Sequence, residues 1–137
     1  MLLALPFLLG VVSGMRTFTA PAVLWIMRHG GPWAYLLAAA ALYEYFFDVN
    51  PKAPSRTCLS NMVARLVSGA FVGWWAAVPV GASPVWGAIA GCIGAVAGAY
   101  GSSAVRTLCI GAIGNVRSGI IEDLVAIAAA VAIVARL

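Results

Sequence analysis

Trp86–Gly101 reads WGAIAGCIGAVAGAYG, a stretch without a single charge in which glycine recurs at Gly87, Gly91, Gly94, Gly98 and Gly101. Spacings of 4, 3, 4 and 3 place all five glycines on one face of a helix over about four turns. In water each would cost a helix roughly 1 kcal/mol against alanine. In lipid, small residues let two helix backbones approach closely, and dispersion between them replaces the missing hydrophobic force. The stripe is therefore either a packing face or a flexible, pore-lining face. Leu66–Val80 is a second long apolar run, with Gly69 and Gly73 on it, and Gly10 and Gly14 make a third pair near the start.

The rest of the chain has the same character. Of its 137 residues 64% are hydrophobic and 9% charged, with a mean hydropathy of +1.02. Soluble domains run at ~45–50% apolar and ~25% charged. A small soluble domain leaves too much surface exposed to hide such a surplus. Bilayer-spanning backbone must satisfy its polar groups as helices or as a closed barrel. A barrel would show ~10-residue segments of alternating polarity, and these runs do not alternate. The expected class is an all-α integral membrane protein, a single transmembrane domain over residues 1–137.

Five spans follow from the breaks. Span one runs from Leu2 to Met27; at 1.5 Å per residue it would measure ~39 Å, longer than the ~30 Å hydrocarbon core. It must tilt or break, and the break candidate is Arg16-Thr17-Phe18-Thr19-Ala20-Pro21, because Pro21 removes a backbone donor and frees the Thr17 carbonyl. No basic residue precedes the first apolar run, so it is expected as a retained helix, not a cleaved leader. Arg28-His29-Gly30-Gly31-Pro32 makes a turn. Span two, Trp33 to Phe47, ends in an aromatic cluster suited to a membrane border. The polar, Pro-rich connection Asp48–Ser60 follows, then span three from Asn61 to Val80. Span four, Val85 to Ile113, is again overlong; Gly114–Gly119 is read as a turn, and span five runs from Ile120 to Leu137. Lys52, Arg56, Arg106 and Arg117 cluster at the turns after spans two and four, so the positive-inside rule makes the N-terminus cytoplasmic. The net charge of +4 is read as this bias and not as nucleic-acid binding.

Shifting the sequence by 90 positions lays Ser13 on Ser103 and Arg16-Thr17 on Arg106-Thr107. Spans one and two would then match four and five as an inverted repeat, the layout in which transporter folds place broken helices at the midplane. The alternative is compositional bias and coincidence.

The acids are Glu44, Asp48, Glu122 and Asp123. Arg16 lies well inside span one, and a charge at bilayer centre costs ~2.5–3.5 kcal/mol on insertion scales, so it must pair or face water. Two readings compete. In one, Arg16, Arg65 and Arg106 form structural ion pairs with the acids, Asp48, Arg56, Arg65, Glu122 and Asp123 fixing helix register. In the other, Arg16, Thr17, Arg106, Thr107 and Glu44 wall a site for a small anionic or proton-coupled solute. No catalytic constellation, phosphate loop or dinucleotide fingerprint is present, so no enzyme is expected. Cys58, Cys92 and Cys109 are odd in number and scattered, and His29 is the one histidine; neither a metal site nor a cofactor is expected.

Ser13-Gly14-Met15-Arg16, the Asp48-x-x-Pro51-Lys52-x-Pro54-x-Arg56 loop with Glu44 before it, Arg65 to Ala70, Gly98-Ala99-Tyr100, Arg106, and Gly114-Asn115 followed by Ser118 and Glu122-Asp123 together resemble a bacterial membrane family catalogued as domain of unknown function 4126. The resemblance covers most of the chain. It implies a small polytopic inner-membrane protein, supplies no substrate, and directs attention to the Glu44–Arg56 segment and Glu122-Asp123 as one cytoplasm-facing cluster. The function expected from all of this is transport or channel-like passage of a small, anionic solute, with a non-transporting scaffold or accessory subunit as the alternative. Five short spans hardly enclose a pathway alone, so a homodimer in the lipid bilayer is expected.

Overall fold

A computed structural model describes residues 2–50, 52 and 58–137, with Val49 by its backbone alone. These residues form six α-helices and, among the described residues, no strand: α1 (Ala4–Met15), α2 (Thr19–Arg28), α3 (Pro32–Val49), α4 (Leu59–Ala77), α5 (Pro84–Ile113) and α6 (Asn115–Val134).

The first apolar stretch breaks where its length and Pro21 required. α1 stops at Met15, Arg16 is extended (φ −141°, ψ 117°), and α2 begins at Thr19. The second overlong stretch does not break. α5 is one helix of 30 residues, continuous through Arg106 and Thr107, and ~45 Å long. The copies proposed for a repeat thus differ at the equivalent point. The turn read over Gly114–Gly119 shrinks to Gly114, whose φ of 87° suits glycine and reverses the chain in one residue. α6 therefore starts at Asn115, a turn and more before the expected Ile120.

The glycines decide how the helices pack. A Cβ on Gly91 would lie 2.0 Å from the Gly69 carbonyl oxygen, and one on Gly87 2.4 Å from that of Gly73. These two glycines press α5 on α4. Gly94 and Gly98 instead face α1, where a Cβ would meet the Phe7 oxygen at 2.2 Å and the Val11 oxygen at 2.1 Å. The stripe is a packing face, but one divided between two neighbours, and Gly101 meets open space. α1, α4 and α5 consequently form a tightly packed bundle, while α2, α3 and α6 pack more loosely, about as much against that bundle as on one another. Leu9, Val12, Leu24, Val72, Ala126 and Val134 are buried where the two bundles meet.

Among the described residues, α5 alone is both long and apolar enough to cross a membrane. α1 and α2 are each too short, with 12 and 10 residues, because the break divides them. α3, α4 and α6 carry the charges Glu44, Asp48, Arg65, Arg117, Glu122 and Asp123 along their lengths. Large apolar side chains are nevertheless exposed on every helix, among them Leu8, Ile26, Phe46, Val67, Leu108 and Leu124.

Candidate functional site

The break between α1 and α2 frees backbone groups, and their new partners define the site. In an uninterrupted helix the amides of Thr17 and Phe18 would bond back to Ser13 and Gly14. Here both donate to Glu44, Thr17 to Oε1 at 2.8 Å and Phe18 to Oε2 at 3.0 Å. A carboxylate thus sits at the N-terminus of α2, where the helix dipole favours negative charge. On the other side, Arg65 donates to the freed Gly14 carbonyl and Ser68 to the Thr17 carbonyl that Pro21 cannot pair with. Ser68 is also 3.0 Å from the Ser13 hydroxyl. Backbone polar groups in lipid need such substitutes, and α3 and α4 supply them. Replacing Glu44 with alanine is expected to cost about 1–2 kcal/mol, the range for losing a helix cap; unfolding in detergent checks it.

Above the break lies a network of charge. Arg16, 1% exposed, bonds Asp48 Oδ2 at 2.7 Å through Nη1 and pairs with Asp123 through Nη2. Its guanidinium also lies 5.3 Å from the centre of the Tyr45 ring, whose hydroxyl is 2.8 Å from Thr19 Oγ1. Arg106 bonds the same Asp48 oxygen at 2.8 Å, stands 3.5 Å from Glu122 Oε2, and donates to Asn115 Oδ1 at 2.9 Å. One carboxylate oxygen of Asp48 therefore joins the two arginines.

The arrangement is segregated by sign. Arg16 ends α1, Arg65 lies on α4 and Arg106 on α5, all in the glycine-packed bundle. Glu44 and Asp48 on α3, with Glu122 and Asp123 on α6, are the chain's four acids, and all four belong to the other bundle. The two bundles meet along a seam of opposite charges. A cleft of about 330 Å³ opens between α1, α5 and α6 and ends on that seam. Its walls are mostly apolar, Val11, Met15, Val105, Ile121 and Val125 among them, and Arg106, Glu122, Ser102 and Ser118 are its polar lining.

No family model matches the chain, and no curated protein and no solved structure matches it.

Of the residues singled out in the sequence, Arg16, Thr17, Glu44, Asp48, Arg106, Glu122 and Asp123 come together, and Arg65 lies against the same break. Thr107 does not join them: its hydroxyl bonds the Ser103 carbonyl one turn back on α5, at 2.9 Å, and it is exposed. Thr17 contributes its amide and carbonyl. Arg56 lies outside the described residues. His29 stands at the far end of α2, stacked on Trp25 at 4.5 Å with Trp75 edge-on at 5.4 Å, where Arg28 also reaches the Trp75 ring. Ser68 and Tyr45 were not anticipated. The signal for Ser68 was its spacing from Arg65, three residues apart on one helical face. Among the described residues no three His, Cys, Asp or Glu side chains are placed to hold a metal ion.

Proposed function

We propose that this chain is a small multi-pass transporter in which the two bundles move against each other and part along the charged seam. α1 and α2 fold back on each other as a hairpin that enters and leaves on one side, the start of α1 lying by Gly91 and the end of α2 by Trp75, and α3 to α6 supply four crossings. Lys52 and Arg117 lie at the seam end, and Arg28, Arg136 and the start of α1 at the other. By the positive-inside rule this makes the seam end cytoplasmic and puts the N-terminus on the opposite face, where five spans would have put it in the cytoplasm. The resemblance to a bacterial inner-membrane family supports that membrane, and a homodimer supplies the enclosure that four crossings and a hairpin lack.

The observation that carries this reading is the seam with a cleft ending on it. A protein needing only to fix helix register can do so with packing. Here α1, α4 and α5 already achieve this through backbone contact at glycines, yet Asp48, Glu122 and Asp123 pair with arginines where the bundles meet, and Glu44 holds the amides freed at the break. Charges buried in lipid are costly and mark pathways. Broken helices at such charges recur in transporters.

The test is access. Met15 lines the cleft beside the break. In a background with Cys58→Ser, Cys92→Ala and Cys109→Ala, Met15→Cys is expected to react with a membrane-impermeant maleimide from either face of oriented proteoliposomes. Reaction from one face alone under every condition fits a static scaffold and would sink the reading.

A further inference from the structure

We infer that the cleft between α1, α5 and α6 binds a short-tailed amphipathic carboxylate, whose head replaces Glu122 on Arg106 while Glu122 takes up a proton. This rests on the transport reading and narrows its solute class. The cleft is lined mostly by apolar side chains, with Arg106 and Glu122 as its charged groups, so its ligand combines one charged group with an apolar part. Its volume of about 330 Å³ is near the lower limit for ligand sites, ~300–1,000 Å³, which suits a short tail.

The sign of the head follows from which partner can be neutralised. A guanidinium does not lose its proton in a protein, so Arg106 needs an anionic partner at every stage of opening. A carboxylate can be discharged by a single proton. Arg106 Nη1 holds Asp48 at 2.8 Å and stands 3.5 Å from Glu122, and of these two acids Glu122 is the one that lines the cleft. Exchange leaves the seam's charge unchanged: Glu122 carboxylate plus a proton from water gives the neutral acid, and the incoming carboxylate takes its place beside the guanidinium. The charged groups around Glu122 are Arg106 from α5, Asp48 from α3 and Arg16 from the end of α1, with Arg117 and Asp123 on its own helix; α2 contributes Arg28 at its far end. Ser102 and Ser118 also line the cleft and add hydroxyls to its wall.

The test uses the full chain in lipid nanodiscs, titrated with octanoate, octanol and octyltrimethylammonium, with empty discs as the blank. Octanoate is expected to bind with uptake of about one proton, counted from the heat in two buffers of different ionisation enthalpy. Glu122→Gln, which mimics the discharged acid, is expected to keep octanoate binding and abolish the proton uptake. Arg106→Gln alone takes a cationic partner from both Asp48 and Glu122 and invites misfolding. Arg106→Gln with Glu122→Gln removes the pair together, and is expected to weaken octanoate about tenfold or more, the worth of hydrogen bonds to a charged group, while leaving octanol unchanged. Octanol binding as well as octanoate, the ammonium binding better, or proton uptake surviving Glu122→Gln would each overturn the inference. Loss of octanoate binding while Met15→Cys still reacts from both faces counts against this ligand alone; one-sided reaction of Met15→Cys counts against transport itself.

Discussion

Arg16→Ala is expected to lower unfolding stability in detergent by about 3–5 kcal/mol, the cost of removing one partner from a buried ion pair. Arg16 is 1% exposed and bonds Asp48 and Asp123 on different helices. Its loss takes from Asp123 its arginine partner and leaves Asp48 with Arg106. The energy lies in that uncompensated charge more than in the bonds themselves, so adding Asp123→Asn to the same chain is expected to recover part of the loss. A thermal or denaturant titration of the single and double variants checks both. A loss below about 1 kcal/mol for Arg16→Ala would mean that water reaches the seam. Arg16 therefore acts by holding α1 to α3 and α6, whereas Arg106 is the arginine that faces the cleft.

Gly91→Val is expected to be comparably severe, at about 3 kcal/mol or more. Overpacking a well-packed interior costs ~1–3 kcal/mol when side chains can adjust, but here the obstacle is backbone. A Cβ at Gly91 lies 2.0 Å from the Gly69 oxygen and 3.0 Å from the Gly73 Cα, so α4 and α5 must separate along their length. The control is Gly101→Ala on the same helix. Nothing lies within 4 Å of a Cβ there, and alanine's better helix propensity makes the change neutral or stabilising by up to ~1 kcal/mol. Both follow from thermal unfolding in one detergent.

The contrast between those two glycines also marks where the sequence stops being informative. Period and residue size reveal that a small-residue face exists, but not that its lower half meets one helix and its middle another. That division depends on how α1 and α4 sit around α5, which no local pattern encodes. The break at Arg16 was legible because two independent constraints coincide there, an apolar run too long for the bilayer and a proline lacking its donor. At Arg106-Thr107 length was the sole argument. With no proline in α5 beyond its first residue, Pro84, the helix continues. The buried arginines and their candidate acids could be named from composition, since the chain has few charges. Their pairing could not, nor could the sharing of Asp48 between Arg16 and Arg106. Both depend on α3 and α6 arriving side by side from distant parts of the chain. The start of α6 was missed because Gly114 makes the whole turn, which left Arg117 and Ser118 helical where their polarity suggested a loop.

Relative motion of the two bundles can be measured directly by spin-label distances in lipid. Ile93 on α5 and Leu124 on α6 are exposed and lie on different bundles; Val67 on α4 and Ile93 share one. The Ile93–Leu124 pair is expected to give two distance populations whose ratio changes when Glu122→Gln loosens the seam. The Val67–Ile93 pair is expected to give one population that does not change. An Ile93–Leu124 distribution as narrow and invariant as the Val67–Ile93 one would contradict a seam that opens.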